Sequence, residues 1–188
     1  MKKSLFYFTL IIAFLSCKTS QNGKDNEEQE TKPITIETYF SSLKSFICDN
    51  VIVVAEKEVH SDISYSKISE LLLIECKEDE VRMNFKLEDE GRMAIAISLF
   101  QGELLLKHDV RDKNLAPAEI TMFGGFSSEL TEDYFVSFDS HKFGTQSMWP
   151  GYEDTSWEIL LNKDEGYFAY KQKKNNDAVV EILFTVIK

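Results

Sequence analysis

The chain has 188 residues and a formal net charge of −11, with 32 acidic against 21 basic side chains. Such an acidic surface repels phosphate groups, so nucleic acid is excluded as a partner and anionic lipid headgroups are unfavourable contacts. The length suits one folded domain with a single hydrophobic core, and it is too short for two comfortable ones.

The first sixteen residues have the pattern of a secretory signal peptide. Lys2 and Lys3 precede an apolar or neutral run, Leu5 to Leu15, which is too short to span a bilayer as a helix. The segment that ends this run, Phe14-Leu15-Ser16-Cys17, resembles the cleavage site of bacterial lipoproteins. The resemblance implies that the Cys17 thiol becomes the new N-terminus and carries a diacylglyceryl group with fatty acyl chains such as palmitate. The alternative is an ordinary cleaved signal in which Cys17 has no role.

The segment after the signal peptide, residues 17–33, has no large apolar residue apart from Cys17 itself and is rich in Glu, Asn and Gln. It cannot bury enough surface to fold, so it is predicted to be a flexible tether. Removal of residues 1–16 deletes two lysines and leaves a mature charge of −13. We therefore expect a protein of the cell envelope, anchored to the inner or outer membrane through its lipid alone and facing the periplasm or the cell surface.

The remaining residues, 34–188, are predicted to form one β-rich domain. Its first element is an amphipathic helix over residues 35–48, because apolar side chains recur there at spacings of three and four. Pro33 just before it suits a helix start. Farther along, the apolar period changes to two, most regularly in a segment whose apolar members are Val81, Met83, Phe85 and Leu87.

Ten strands are predicted, joined by short turn-rich links that force neighbours to be antiparallel. They cover residues 51–58, 70–76, 81–88, 93–99, 104–108, 119–123, 134–139, 157–161, 167–171 and 179–187. A flat sheet of this size would leave long exposed edges, which predicts a mainly β fold whose antiparallel meander closes into a barrel or strongly curled sheet, with the helix at one end. The alternative is a two-layer β-sandwich. The layout resembles the calycin class of small-molecule carriers in architecture alone.

Two cysteines fall within the predicted domain, Cys48 and Cys76. In an oxidising envelope compartment they can form a disulfide, which would stabilise the fold by constraining the unfolded chain. The alternative is a pair of buried free thiols, since both have apolar neighbours in the sequence.

Candidate ligand-binding residues are few. His108 has the same alternation parity as Leu104 and Leu106, so it is predicted to face the interior, as a ligand contact or as a hydrogen-bonded core residue. Trp149 and Tyr152 flank a Pro-Gly turn, where aromatic faces suit a sugar ring or a barrel mouth. A glycine-rich segment, Phe123–Phe126, is a second predicted mouth loop, with a bulge or barrel corner as its alternative.

Catalytic, cofactor and metal-ligand motifs are not found in the sequence. We therefore expect a non-enzymatic, lipid-anchored envelope protein without a cofactor or metal, binding a small apolar ligand or a glycan. The alternative is a structural or interaction lipoprotein that contacts another envelope protein.

Overall fold

The computed structural model describes residues 33–59, 68–88, 90–119, 121–131, 134–140 and 154–187. They belong to one compact unit that begins at Pro33, and no helix among them is both long and apolar enough to cross a bilayer. The elements are α1 (Ile36–Cys48), β1 (Ile52–Val59), β2 (Ile68–Cys76), β3 (Glu80–Leu87), β4 (Arg92–Phe100), β5 (Glu103–Arg111), β6 (Phe123–Leu130), β7 (Phe135–Asp139), β8 (Thr155–Asn162), β9 (Tyr167–Lys174) and β10 (Asp177–Val186).

All ten strands belong to one antiparallel sheet with the order β1-β10-β9-β8-β7-β6-β5-β4-β3-β2. Each strand from β2 to β10 pairs with its sequence neighbour, and β1 returns to pair with β10, with Ile52 opposite Val186. The sheet curls into a nearly closed barrel. Its seam lies between β1 and β2, which no ladder joins among the described residues. The predicted meander closing into a barrel is confirmed, and the sandwich is not adopted.

Helix α1 begins at a capped residue and buries one stripe against an end of the barrel. The Thr35 side chain accepts a hydrogen bond from the Thr38 amide, which satisfies one of the otherwise unpaired N–H groups of the first turn. The Tyr39 hydroxyl donates to the Ile159 carbonyl across 3.2 Å. The buried stripe consists of Tyr39, Phe40, Leu43, Phe46 and Ile47. We call the end that it covers the helix end and the opposite one the far end.

The core fills the barrel with side chains that point inward from alternate strand positions. Strand β8 is the clearest case, because its buried and half-buried residues alternate along its whole length. Aromatic rings pack between the elements: Phe168 stacks on Phe184 with ring centroids 4.3 Å apart and meets Phe46 of α1 edge to face.

Strand β6 differs from the sequence prediction. It begins at Phe123 and continues to Leu130, whereas the predicted strand occupied residues 119–123. The segment Phe123–Phe126 is therefore part of the sheet, and its assignment to a loop at the barrel mouth is wrong.

The two glycines of β6 are required by the close approach of neighbouring strands. A Cβ atom added to Gly124 would overlap the Leu106 carbonyl on β5, and one added to Gly125 would overlap the backbone of Asp139 on β7. The two glycines therefore let β5, β6 and β7 pack closely. In the sequence alone, the same pair of glycines indicates a turn.

Candidate functional site

His108 lies inside the barrel and has a protein partner for each ring nitrogen. Nδ1 is 3.2 Å from the Phe123 carbonyl, and Nε2 is 2.7 Å from the Tyr170 hydroxyl. Because a carbonyl only accepts, Nδ1 carries the proton and Nε2 accepts from Tyr170. Burial lowers the pKa of His108 to about 3 against the opposing effect of the Phe123 carbonyl, so the ring is neutral.

Aromatic side chains surround this histidine on three sides. Its ring stacks on Phe123 at 4.6 Å and lies 5.4 Å from Trp157 and 5.8 Å from Tyr170, measured between centroids. All four residues are at most 1% exposed. The inward orientation predicted for His108 is confirmed. Its surroundings favour the core interpretation, because an interior ligand would have to displace a ring from this cluster.

The other predicted binding residues, Trp149 and Tyr152, lie outside the described residues, as does Cys17. Their roles stay predictions.

Cys48 and Cys76 form a disulfide between the last residue of α1 and the last residue of β2. The sequence left a disulfide and a pair of free thiols as alternatives, and the structure contains the disulfide. Next to it, the Lys44 ammonium donates to the Glu78 carbonyl in the turn after β2. The bridge fixes the C-terminal end of β2 to the helix that covers the barrel.

Strand β2 forms what we call the open edge, residues Ile68–Cys76. It pairs with β3 on one side, with two register shifts, and has no ladder to β1 on the other. Lys57 of β1 reaches across the seam and donates to the Ile68 carbonyl at 2.6 Å. Leu72 and Leu73 are 42% and 56% exposed. An edge without a ladder among the described residues and exposed leucines therefore occur together on one strand.

A polar pocket, which we call the rim pocket, has a volume of about 350 Å³ at the far end of the barrel. It is bounded by the end of β7, the start of β8 and the turn from β9 to β10. The lining residues carry two carboxylates, two amides and two hydroxyls: Asp139, Asp154, Asn175, Asn176, Thr155 and Ser156.

The turn beside the rim pocket is fixed by its backbone conformation and by a backbone hydrogen bond. Asn175 and Asn176 both have positive φ angles, 52° and 69°, as a two-residue hairpin of the primed type requires. The Asn175 amide donates to the Asp154 carbonyl at 3.0 Å, which ties the turn to the start of β8.

Four buried polar atoms near this end have no hydrogen-bond partner among the described residues. Trp157 and Gln172 are directly opposite each other in the β8–β9 ladder, and Thr155 is two residues before Trp157 on the same face. The atoms are Thr155 Oγ1, Trp157 Nε1, Gln172 Nε2 and Gln172 Oε1. Sequence reasoning missed Gln172, although it shares the parity of Phe168 and Tyr170 on β9.

A separate charged cluster lies on the outer face of the sheet. Arg82 donates to the Asp109 carboxylate at 2.6 Å, and Arg111 forms a second ion pair with it at 3.1 Å. Burial raises the pKa of Asp109, but hydrogen bonds from Arg111 and Arg82 outweigh it and hold that pKa below its usual value. The cluster joins β3 to β5, and since His108 points inward, Asp109 and His108 do not share a site.

The described residues contain no group of three or more His, Cys, Asp or Glu side chains placed to hold a metal ion. Comparisons with protein-family models, with curated proteins and with solved structures find no match.

Proposed function

We propose that this protein is a lipid-anchored, non-enzymatic component of the cell envelope that binds an extended segment of a partner protein at the open edge. The observation that carries the proposal is the exposure of Leu72 and Leu73 on a strand whose outer side has no ladder in the part of the chain that the structure describes. Between the two functions expected from the sequence, this favours the interaction protein over a carrier of an apolar ligand, whose interior site would compete with the rings around His108.

The open edge has the chemistry for strand addition. An incoming strand would pair with backbone N–H and C=O groups on the side of β2 that has no ladder among the described residues, and it would cover the exposed leucines. Full burial of one leucine contributes about 1.5–3 kcal/mol. Two such side chains and a row of backbone hydrogen bonds suffice for a moderate, reversible affinity.

Charge indicates what kind of segment binds. Glu70 and Glu75 flank the two leucines on β2, and Glu78 and Asp79 follow in the adjoining turn. A segment that alternates apolar and basic residues complements this pattern. The tether of this chain, residues 17–33, is a poor occupant because it is acidic and lacks large apolar side chains.

A second copy of the chain is also a poor occupant. Antiparallel pairing of two β2 strands centred between Leu72 and Leu73 would place Glu70 opposite Glu75 on both sides of the contact. Like charges in directly opposite positions are destabilising. A membrane surface is disfavoured for the same reason, because the acidic edge is repelled by anionic headgroups.

The anchor is tested by replacing Cys17 with serine in cells fed an alkyne-bearing fatty acid. We expect the wild-type chain to be labelled and to sediment with membranes, and Cys17→Ser to lose both properties. Labelling of the serine variant would contradict anchoring at this residue.

The docking site is tested with two synthetic peptides, one alternating valine with lysine and one alternating valine with glutamate. Hydrogen exchange of the full chain in detergent measures protection of the β2 amides. We expect the lysine peptide to protect them and the glutamate peptide not to. Leu73→Lys should abolish the protection, whereas Leu115→Lys, at a residue that is 48% exposed in another part of the molecule, should leave it unchanged.

Three outcomes would overturn the proposal. Equal protection by both peptides means that charge does not select the occupant. Protection of β2 that rises with protein concentration alone assigns the edge to a second copy. Protection by phosphatidylcholine vesicles but by neither peptide assigns it to the membrane.

A further inference from the structure

The rim pocket combines two independent features of a binding site. The lining residues that the structure describes are all polar, with the carboxylates of Asp139 and Asp154 and the amides of Asn175 and Asn176 around one space of about 350 Å³. A volume of this size lies at the lower end of the range for small-molecule pockets. We infer that the rim pocket binds a neutral or amine-bearing polyhydroxylated ligand, the size of about one or two sugar rings.

The second feature is a buried hydroxyl in the pocket wall. Thr155 is 2% exposed and lines the pocket, and its Oγ1 has no hydrogen bond among the described residues. Buried polar groups are normally paired, so this hydroxyl indicates that a bound molecule supplies the missing partner.

The donor and acceptor types select the ligand class. Carboxylates only accept hydrogen bonds, whereas amides and hydroxyls both donate and accept. Sugar hydroxyls can pair with all of these groups, because each one donates once and accepts. An acidic sugar is disfavoured by Asp139 and Asp154, which carry the same charge as the ligand would.

Two other ligand classes fit less well. An apolar ligand would find no large apolar side chain among the described residues of the lining. A bare cation would fill only a small part of the volume, and the described residues hold no group of three or more His, Cys, Asp or Glu side chains suited to a metal. The rim pocket shares no residue with the open edge, and sugar binding there does not depend on the function proposed for the open edge.

The test is a titration of the isotope-labelled full chain in detergent, followed by NMR. The probes are methyl glucoside, glucosamine, glucuronate and calcium chloride, each raised to tens of millimolar. We expect the first two to shift the amide signals of Thr155, Ser156 and Asn175 in a saturable way. Glucuronate and calcium should leave these signals in place.

The matched variants are Thr155→Val and Thr185→Val, which remove a hydroxyl without changing the shape of the side chain. Thr155→Val should weaken sugar binding about tenfold, the usual effect of losing one hydrogen bond to a ligand. It should also leave Tm unchanged or raise it, because the buried hydroxyl has no partner among the described residues to lose. Thr185→Val, at the helix end of β10, should bind as the wild type does.

The inference is overturned by any of four results: no shift with either sugar, equal binding by Thr155→Val, a response to calcium alone, or glucuronate binding as well as methyl glucoside. A lower Tm for Thr155→Val with unchanged binding would show that the hydroxyl bonds a structural water and serves the fold.

Discussion

Strands β2 and β8 show how differently two apolar sequences are used in the same sheet. Six of the nine residues of β2 are apolar, against four of the eight in β8. Yet β2 has one buried residue, Ile68, and β8 has four. Three of the four apolar residues of β8, Trp157, Ile159 and Leu161, occupy alternate positions and reach one face, whereas four of the six in β2, residues 71–74, are consecutive and cannot all do so. Regular alternation, more than apolar content, decides what the barrel buries.

The largest effect should follow from removing the central side chain of β8. Trp157→Ala should lower the free energy of unfolding by about 3–5 kcal/mol, because it leaves a cavity among His108, Phe123 and Tyr170. Urea denaturation followed by circular dichroism measures it. Trp157→Phe retains a ring, and the Nε1–H that it removes has no hydrogen-bond partner among the described residues, so it should cost less than about 1.5 kcal/mol. Similar losses in both variants would show that packing is not the cause.

Removing the disulfide tests whether it holds the open edge in place. Cys48→Ser with Cys76→Ser should lower the free energy of unfolding by about 3.5 kcal/mol, the value that chain entropy gives for a bridge between residues 28 apart. Denaturation of both forms under oxidising conditions gives the number. Hydrogen exchange should also accelerate in β2 before it does in β8. Uniform acceleration over both strands would contradict a local role at the edge.

The buried histidine makes the barrel interior sensitive to acid. Burial lowers the pKa of His108 to about 3 from its ordinary 6.5, so the unfolded chain binds a proton that the folded chain does not. The stability due to neutral His108 is complete above pH 6.5 and is lost as the pH falls towards 3, by about 1.4 kcal/mol per unit.

Between pH 7.5 and pH 5 the free energy of unfolding should therefore fall by about 2 kcal/mol. His108→Gln should lose this part of the pH dependence, and the difference between the two proteins isolates the histidine from other titrating groups. Parallel pH curves for both proteins would mean that His108 is protonated in the folded barrel.

The smallest effect is expected at the open edge. Leu73→Ala should change the free energy of unfolding by less than about 0.5 kcal/mol, because the side chain is already more than half exposed. The same denaturation experiment measures it. A loss of several kcal/mol would mean that Leu73 packs within the domain, and the contrast between β2 and β8 would disappear.

Local patterns predicted much of this fold. The helix was placed within one residue of its observed start because its stripe has a regular spacing of three and four. Strands β3 and β4 were found from their alternation, and β8 and β9 from the turn-rich link between them. The inward direction of His108 followed from the parity of Leu104 and Leu106. Each of these inferences depends on neighbours in the chain, which a sequence displays directly.

Other features depend on contacts between distant residues and could not be predicted. Gly124 belongs in a strand because β5 lies close beside it, which no local pattern records. Strand β2 is an edge because β1 pairs with β10, a choice that alternation does not reveal. Gln172 could have been recognised as inward from the parity of β9, but no local pattern shows that its amide lies opposite Trp157 and lacks a partner among the described residues.

The ladder between β1 and β10 joins Ile52 to Val186, so the first strand of the domain is paired by the last. Such a pairing has a very high sequence separation, which slows folding because most of the chain must be ordered before the contact forms. Among the described strands β1 pairs with β10 alone, so it stays unpaired until β10 is available. The domain is thus completed in a single late step, and a truncation that removes β10 should leave an incomplete barrel with β1 unpaired.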